Sequence, residues 1–254
     1  METTHKIALV TGGSRGLGKN AAMYLAQKGI DLVITYRSKK EEAEAVVTEI
    51  EKAGQKAAAL QLDTSVVGSF DDFTRRLSAT LQQKWGRSTF DFLINNAGID
   101  AASPFAKTTE EDFDNLFNVH FKGVYFLTQK SLPLIADGGR IINISTGLTR
   151  FATPGYAAYA SMKGAIEVFT KYLAKELGPR RIAANMVAPG IIETDFTKAA
   201  FQAHPELDKY MSTITALGRV GVPDDIGGII AFLCTEDARW INAQRIEASG
   251  GMFL

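Results

Sequence analysis

A chain of 254 residues, 46% hydrophobic and 22% charged, is long enough to bury a sizeable core. Its 28 basic and 28 acidic residues cancel, which argues against nucleic acid or an anionic membrane as partner, and its one cysteine, Cys234, excludes an internal disulfide. The opening METTHKIALVTGG has no apolar signal core and no run reaches membrane-spanning length, so a soluble, cytoplasmic protein is expected.

In chain order, short apolar runs alternate with longer helical patterns. Strands are expected over 6–10, 31–35, 56–61, 90–95, 140–145, 181–188 and 245–248. Runs such as IALV, LVIT, FLIN and IINI are apolar throughout, the pattern of strands covered on both faces of a parallel sheet. Helices are expected over 16–28, 41–53, 69–85, 110–134, 156–177 and 224–235; Gly29, Gly54 and Gly86 close the first three, and Gly178-Pro179 the fifth. Repeated β-α units with right-handed crossovers predict an α/β fold, a doubly wound parallel sheet of about seven strands with helices on both faces. No linker, repeat or composition shift divides the chain, so one domain over 1–254 is expected. Residues 195–217 break the rhythm, with Pro205 inside, and are expected to form a helical excursion covering a ligand site. Cys234 ends the run I-I-A-F-L-C and reads as a buried, inert thiol.

The first strand leads into Thr11-Gly12-Gly13-Ser14-Arg15-Gly16-Leu17-Gly18, which opens the first helix. Glycines let the backbone approach a pyrophosphate, and a helix N-terminus offers free N–H groups and a positive dipole end. That context marks a dinucleotide site, with Gly12, Ser14, Arg15, Gly16, Leu17 and Gly18 as candidate contacts. An NAD site carries an acidic residue about 20 residues further on, to hold the ribose 2′-hydroxyl. Here the second strand ends Tyr36-Arg37-Ser38-Lys39. Arg37 at the tip and Arg15 in the loop suit a 2′-phosphate, which predicts NADP(H) over NAD(H). Asp63, followed by Thr64, ends the third strand; it either meets an adenine amino group or caps the next helix. Asn95-Asn96-Ala97-Gly98 ends the fourth, where amides can order the sheet edge and a glycine can pass close to a ligand, so Asn95, Ala97 and Gly98 are candidates too. Asn118 sits within a helical pattern that it slightly disfavours, which leaves it open to another task. Arg150 either meets an acidic substrate group or is a surface arginine. His5, His120 and His204 have no partners at metal-ligand spacing, so no metal site is expected.

Tyr159 and Lys163 are four apart, on one face of a helix. A phenol titrates near ~10, and bringing it to neutral pH takes about 4 kcal/mol of differential stabilisation. A fixed ammonium can supply part of that.

Taken together the motifs resemble the short-chain dehydrogenase/reductase family, in its single-domain branch, and locally its 3-oxoacyl-carrier-protein reductase-like and related ketone reductase members. The match runs from residue 6 to the C-terminus through the glycine loop, Asn95-Asn96-Ala97-Gly98, Asn118, Tyr159-x-x-x-Lys163 and Pro189-Gly190, with I-I-E-T-D-F, G-R-V-G-V-P-D-D-I and A-S-G-G-M beyond. The resemblance implies a Rossmann-type fold and interconversion of a ketone and a secondary alcohol. It implies Tyr159 as general acid/base, Lys163 on the nicotinamide ribose, Asn118 holding a water in a proton relay, and a hydroxyl polarising the carbonyl. It also implies Pro189, Gly190, Ile192 and Thr194 against the nicotinamide. Family members assemble as dimers or tetramers, so a homo-oligomer is expected.

Two departures stand out. The polarising hydroxyl of the family lies thirteen residues before the tyrosine, which is Thr146 here, with Ser145 the alternative if the turn shifts by one. Alanine stands at 243 where glycine is common. Tyr156 raises a rival: some enoyl reductases of the superfamily use a tyrosine seven residues before the lysine. A catalytically idle NADP-binding protein is the reading from another class.

Overall fold

The computed structural model describes residues 5–100, 102–195, 197–203 and 206–254, and for 199, 200 and 203 only the backbone. Its strands are β1 (Ile7–Val10), β2 (Asp31–Tyr36), β3 (Ala57–Gln61), β4 (Phe90–Asn95), β5 (Ile135–Ile144), β6 (Ala183–Pro189) and β7 (Arg245–Ala248). They pair in parallel in the order β3-β2-β1-β4-β5-β6-β7. The order reverses between β1 and β4. Crossovers there leave toward opposite edges and open a crevice at the carboxyl ends of the strands.

The helices are α1 (Gly16–Gln27), α2 (Lys40–Lys52), α3 (Phe70–Trp85), α4 (Glu110–Phe117), α5 (Gly123–Ser131), α6 (Ala157–Glu176), α7 (Lys198–Ala203), α8 (Leu207–Thr213) and α9 (Asp224–Leu233). In β1, Ala8 and Val10 meet Leu25 of α1, Ile50 of α2 and Ile230 of α9 on one face. Ile7 and Leu9 meet Phe73 of α3, Leu127 of α5 and Leu173 of α6 on the other. Each such large side chain contributes about 1.5–3 kcal/mol of transfer free energy when fully buried. With both faces covered, the strands have no polar side to display, which is why they read as unbroken apolar runs. Cys234 belongs to the α9 side of this core, and burial, opposed by nearby Arg140, pushes its thiol up to about 12.

Three boundaries differ from the sequence expectation. Residues 110–134 do not form one helix: α4 and α5 are separated by a wide π-type turn, Asn118–Lys122, in which the Gly123 N–H donates to the Asn118 carbonyl. β5 begins at Ile135 rather than at 140, and it takes in Gly138 and Gly139 by shifting its register against β4 between Phe90 and Phe92. β6 begins at Ala183 because Arg181 is left-handed, with φ 56°. The excursion over 195–217 carries α7 and α8; Ala101, Phe196, His204 and Pro205 lie outside the described residues. Among the described residues no helix is long and apolar enough to cross a membrane.

Candidate active site

The crevice holds a cavity of about 620 Å³. Its floor is fixed by two loops that lock together. The Thr11 hydroxyl accepts from the Asn96 N–H at 2.9 Å and the Ala97 N–H at 3.0 Å. The Asn96 amide donates back to the Thr11 and Gly12 carbonyls at 2.9 and 3.2 Å. Gly12 has φ +64°, and a Cβ there would lie 3.1 Å from the Ala97 Cα. Only glycine takes that turn cheaply and leaves the loop low enough for a ligand to approach. Gly12, Ser14, Arg15, Gly16 and Leu17 line the cavity as expected from sequence. Gly18 does not: a Cβ there would meet the Gly12 carbonyl carbon at 2.9 Å and the Asn96 amide at 2.5 Å, so its part is close packing of α1 on the loop.

At the β2 end the wall carries Arg15, Arg37, Ser38 and Lys39, with no carboxylate among residues 36–39. Arg15 reaches Asp195 at 3.7 Å across the cavity, with both side chains more than half exposed. Asp63 and Thr64 also line it. Asp63 does not cap α3: its carboxylate accepts from the Ser65 N–H at 2.9 Å and the Ser65 hydroxyl at 2.6 Å, ordering the turn, and it lines the wall. Ala97 and Gly98 are wall residues, but Asn95 is not. Asn95 is buried, donating to the Thr128 hydroxyl at 3.1 Å and Asn143 at 2.8 Å, and Asn143 donates to Thr170 at 2.8 Å. That chain braces β4, β5, α5 and α6 from behind, where a buried amide needs partners.

The chemical end lies between β5 and α6. Thr146, Tyr159 and Lys163 share the cavity with Pro189, Gly190, Ile192 and Thr194. Lys163 is 5% exposed and donates to the Ile144 carbonyl at 2.8 Å. Its Nζ lies 5.8 Å from the centre of the Tyr159 ring. Burial lowers the ammonium to about 8. Tyr159 moves the other way. Burial and then the Asp100 carboxylate push the phenol above its ordinary value, while a hydrogen bond with Thr146 pulls it down. Burial outweighs the Thr146 contribution, so the phenol sits above its ordinary value.

The choice between the two hydroxyls is made by geometry. The Ser145 Oγ donates to the Glu167 carboxylate at 2.8 Å. The Thr146 hydroxyl accepts from the Leu148 N–H, at 3.3 Å, and is close enough to Tyr159 to pull its phenol down. Tyr156 lies on the wall with its ring centre 6.3 Å from that of Tyr159. Arg150, open in sequence to an acidic ligand, is engaged by Glu247 at 2.7 Å.

Asn118 does not reach the cavity. It opens the π-type turn and is only half-buried, while two residues on, His120 is 1% exposed and lines the wall. Its ring stands edge-on to Tyr159 at 5.0 Å. Nε2 lies 2.8 Å from the Ile99 carbonyl and 3.2 Å from the Ile99 N–H, and Nδ1 is buried with no protein partner. Burial, then the Lys163 charge, against the Ile99 bond, lowers His120 to about 3, so the ring is neutral. A search for metal spacing passes over His120; the usable signal was its place two residues beyond a poor helix former. Asp100 and Glu167 were likewise missed, because single carboxylates in a loop and on a helix look like surface charge. Among the described residues no group of three or more His, Cys, Asp or Glu is arranged to hold a metal, and His204 is outside them.

Leu148, Phe151, Tyr156, Ile191, Leu207, Met211 and Met252 add an apolar stretch of wall, with Asp100, Thr153 and Thr197 as polar members beside it. Two of these residues, Leu207 and Met211, come from α8 of the excursion.

Comparison with known proteins places this geometry. The family model described as enoyl-(acyl carrier protein) reductase matches residues 12–253. A short-chain dehydrogenase/reductase of Pestalotiopsis microspora is 36% identical over 256 residues, covering 97% of this chain and 94% of that protein. The reductase LugOII, described as catalysing keto-reduction at C1 in lugdunomycin biosynthesis, superposes with a TM-score of 0.93 at 38% identity over 100% of both chains. The angucycline C-6 ketoreductase LanV, solved with NADP, gives 0.92 at 39% identity over 98% of this chain and 95% of that one.

Proposed function

The chain belongs to the short-chain dehydrogenase/reductase family of NAD(P)-dependent oxidoreductases, and we propose that it reduces a ketone on an apolar, ring-bearing substrate with NADPH, and catalyses the reverse oxidation of the alcohol. The observation that carries this is that Thr146, Tyr159 and Lys163 line one cavity together, beside the glycine loop. The keto-reducing and NADP-bound relatives support it.

The residues fit the cofactor. Gly12, Ser14, Gly16 and Leu17 form a cradle open to a pyrophosphate, and Arg15, Arg37, Ser38 and Lys39 supply cations and a hydroxyl for a 2′-phosphate. Asp63 and Thr64 would flank the adenine. Ala97, Gly98, Pro189, Gly190, Ile192 and Thr194 would hold the nicotinamide end. When bound, the cofactor supplies the hydride.

The rest is done by this chain. Thr146 donates a hydrogen bond to the substrate carbonyl, and Tyr159 gives the proton to its oxygen. Lys163 orients the ribose and, as an ammonium, favours the phenolate that Tyr159 briefly becomes. His120, on the wall and with its Nδ1 buried without a protein partner, takes the task that resemblance assigns to Asn118. The single domain keeps residues 195–217 as a substrate lid, through Leu207 and Met211.

Enoyl reduction through Tyr156 is the second reading, favoured by the description of the matching family model. Against it, the Thr146 hydroxyl acts on the Tyr159 phenol and not on that of Tyr156. We also read the protein as cytoplasmic and as a homo-oligomer, dimer or tetramer. Exposed Phe113, Tyr125, Val168 and Tyr172 on α4, α5 and α6 supply the apolar face that such a contact needs.

The test is NADPH oxidation against aromatic and alicyclic ketones, acyl thioesters, sugars and quinones. Turnover is expected with the ketones, and turnover confined to enoyl thioesters contradicts the proposal.

A further inference from the structure

Behind the polarising hydroxyl lies a chain of four charges that the chemistry above does not use. Arg245, on β7, donates from Nε to Glu167 at 2.8 Å and from one terminal nitrogen to Glu247 at 2.8 Å. Its other terminal nitrogen donates to the Thr146 carbonyl at 3.0 Å. Glu167 also accepts from Ser145 at 2.8 Å and from Thr149 at 2.6 Å, the residues on either side of Thr146 and Gly147–Leu148. Glu247 accepts from Arg150 at 2.7 Å and from Ser249 at 2.8 Å. Arg150 then donates to the Phe253 carbonyl at 3.1 Å and to the Met252 carbonyl. The Arg245, Glu167 and Glu247 side chains are each about one-fifth exposed, at 22%, 19% and 22%.

This is more than surface pairing. An arginine fork can satisfy three acceptors in fixed directions, which an ammonium cannot. Here the acceptors are the Thr146 carbonyl, the two carboxylates and, at 3.2 Å, the Thr149 hydroxyl of the same loop. Thr146 is extended, with φ −157°, at the start of the turn Gly147–Thr149; its carbonyl accepts from Arg245 and its hydroxyl from the Leu148 N–H at 3.3 Å, so both are tied to the one turn. Against the cost of burial, the Arg150, Arg245 and Ser249 bonds hold the Glu247 carboxyl down at about 2. Its far end reaches the substrate side: Met252 lines the cavity, and the Phe253 ring packs on Phe151 at 4.6 Å.

We propose that Arg245 is a positioning residue for carbonyl polarisation: with Glu167, Glu247 and Arg150 it fixes the 145–151 loop, aims the Thr146 hydroxyl at the substrate, and ties that loop to the C-terminal wall at Met252. The inference rests on Thr146 being the polarising group, and the test separates the two. In a double-mutant cycle of Arg245→Ala and Thr146→Val, kcat and KM are measured for NADPH and for the best ketone. Thr146→Val lowers kcat by about 10²-fold. Arg245→Ala lowers kcat by about tenfold or more with the NADPH KM within about twofold, and this loss shrinks below about twofold in the Thr146→Val background, since there is no hydroxyl left to aim. Wild-type kcat in Arg245→Ala, or an undiminished loss in the double variant, overturns the positioning role while leaving Thr146 in place. Wild-type kcat in Thr146→Val overturns both. If Arg245→Ala does not fold, Arg245→Lys carries the same cycle: a kcat loss that vanishes without the Thr146 hydroxyl supports the role, and wild-type kcat overturns it.

Discussion

At the β2 end of the crevice the groups offered to a ligand stand in solvent. Arg15 is more than half exposed, its partner Asp195 equally so, and Lys39 pairs with Glu42 on the surface. At the β5–α6 end Lys163 and His120 are 5% and 1% exposed, and both are shifted far from their ordinary values. Exposed cations bind a phosphate through screened attraction, worth little for any one pair. Buried groups feel each other and the loss of water strongly, which is what tunes an acid. One end is therefore suited to choosing the cofactor and the other to moving a proton, and substitutions at the two ends should fail in different ways.

The largest effect is expected at Lys163. Lys163→Met lowers kcat by about 10²–10⁴-fold, the range for losing acid–base machinery, as measured by steady-state NADPH oxidation. It also changes stability. The folded value near 8 lies below the unfolded value, so between them the unfolded chain holds more protons. Stability of the wild type then rises as pH goes from about 8 to about 10.4. Denaturant melts across that window should show the rise in the wild type and lose it in Lys163→Met.

His120 sharpens the comparison, because packing and polarity can be separated there. His120→Phe keeps the ring against Tyr159 but loses Nδ1 and the Ile99 bonds, and kcat should fall about 10–100-fold with little change in the NADPH KM. His120→Asn restores a polar atom and should recover part of the loss. Because the imidazole is neutral above about 3, the pH–rate profile should carry no histidine step near neutrality in wild type or variant. Full activity in His120→Phe would reduce the residue to core packing.

The smallest effect belongs to the exposed end. Arg37→Asp should raise the NADPH KM about 10–100-fold, equivalent to about 1.4–2.7 kcal/mol, with kcat nearly unchanged and NADH affected less. The NADPH KM of the wild type should also rise with salt. Equal losses for both cofactors would remove the 2′-phosphate role.

How much of this could be read from the residues follows the same division. The strands were legible because burial on both faces leaves only apolar residues, and the glycine loop because Gly12 permits a turn that other residues do not. β5 was shortened because Asp137-Gly138-Gly139 has turn chemistry, and only the register shift against β4 admits it to the sheet. The π-type turn left no breaker within 118–122, so the helix looked continuous and Asn118, not His120, drew attention. Gly123 carried a signal that needs three dimensions: a Cβ there would strike the Thr64 and Asn118 carbonyls. Asn95 and Gly18 adjoin residues that line the cavity; what withdraws them, Thr128 and Asn143 on the Asn95 amide and Asn96 packed on Gly18, lies far away in sequence. The Ser145–Thr146 choice likewise rested on Glu167, whose distance from the loop no local pattern reveals.

The most direct test of the account is the pair Tyr159→Phe and Tyr156→Phe, each measured for NADPH oxidation with the best ketone and with an enoyl thioester. Tyr159→Phe should lose ketone turnover by about 10³-fold or more while binding NADPH normally, and Tyr156→Phe should keep kcat within about tenfold with the change in the substrate KM. Ketone turnover surviving in Tyr159→Phe, or enoyl turnover abolished by Tyr156→Phe alone, would contradict it.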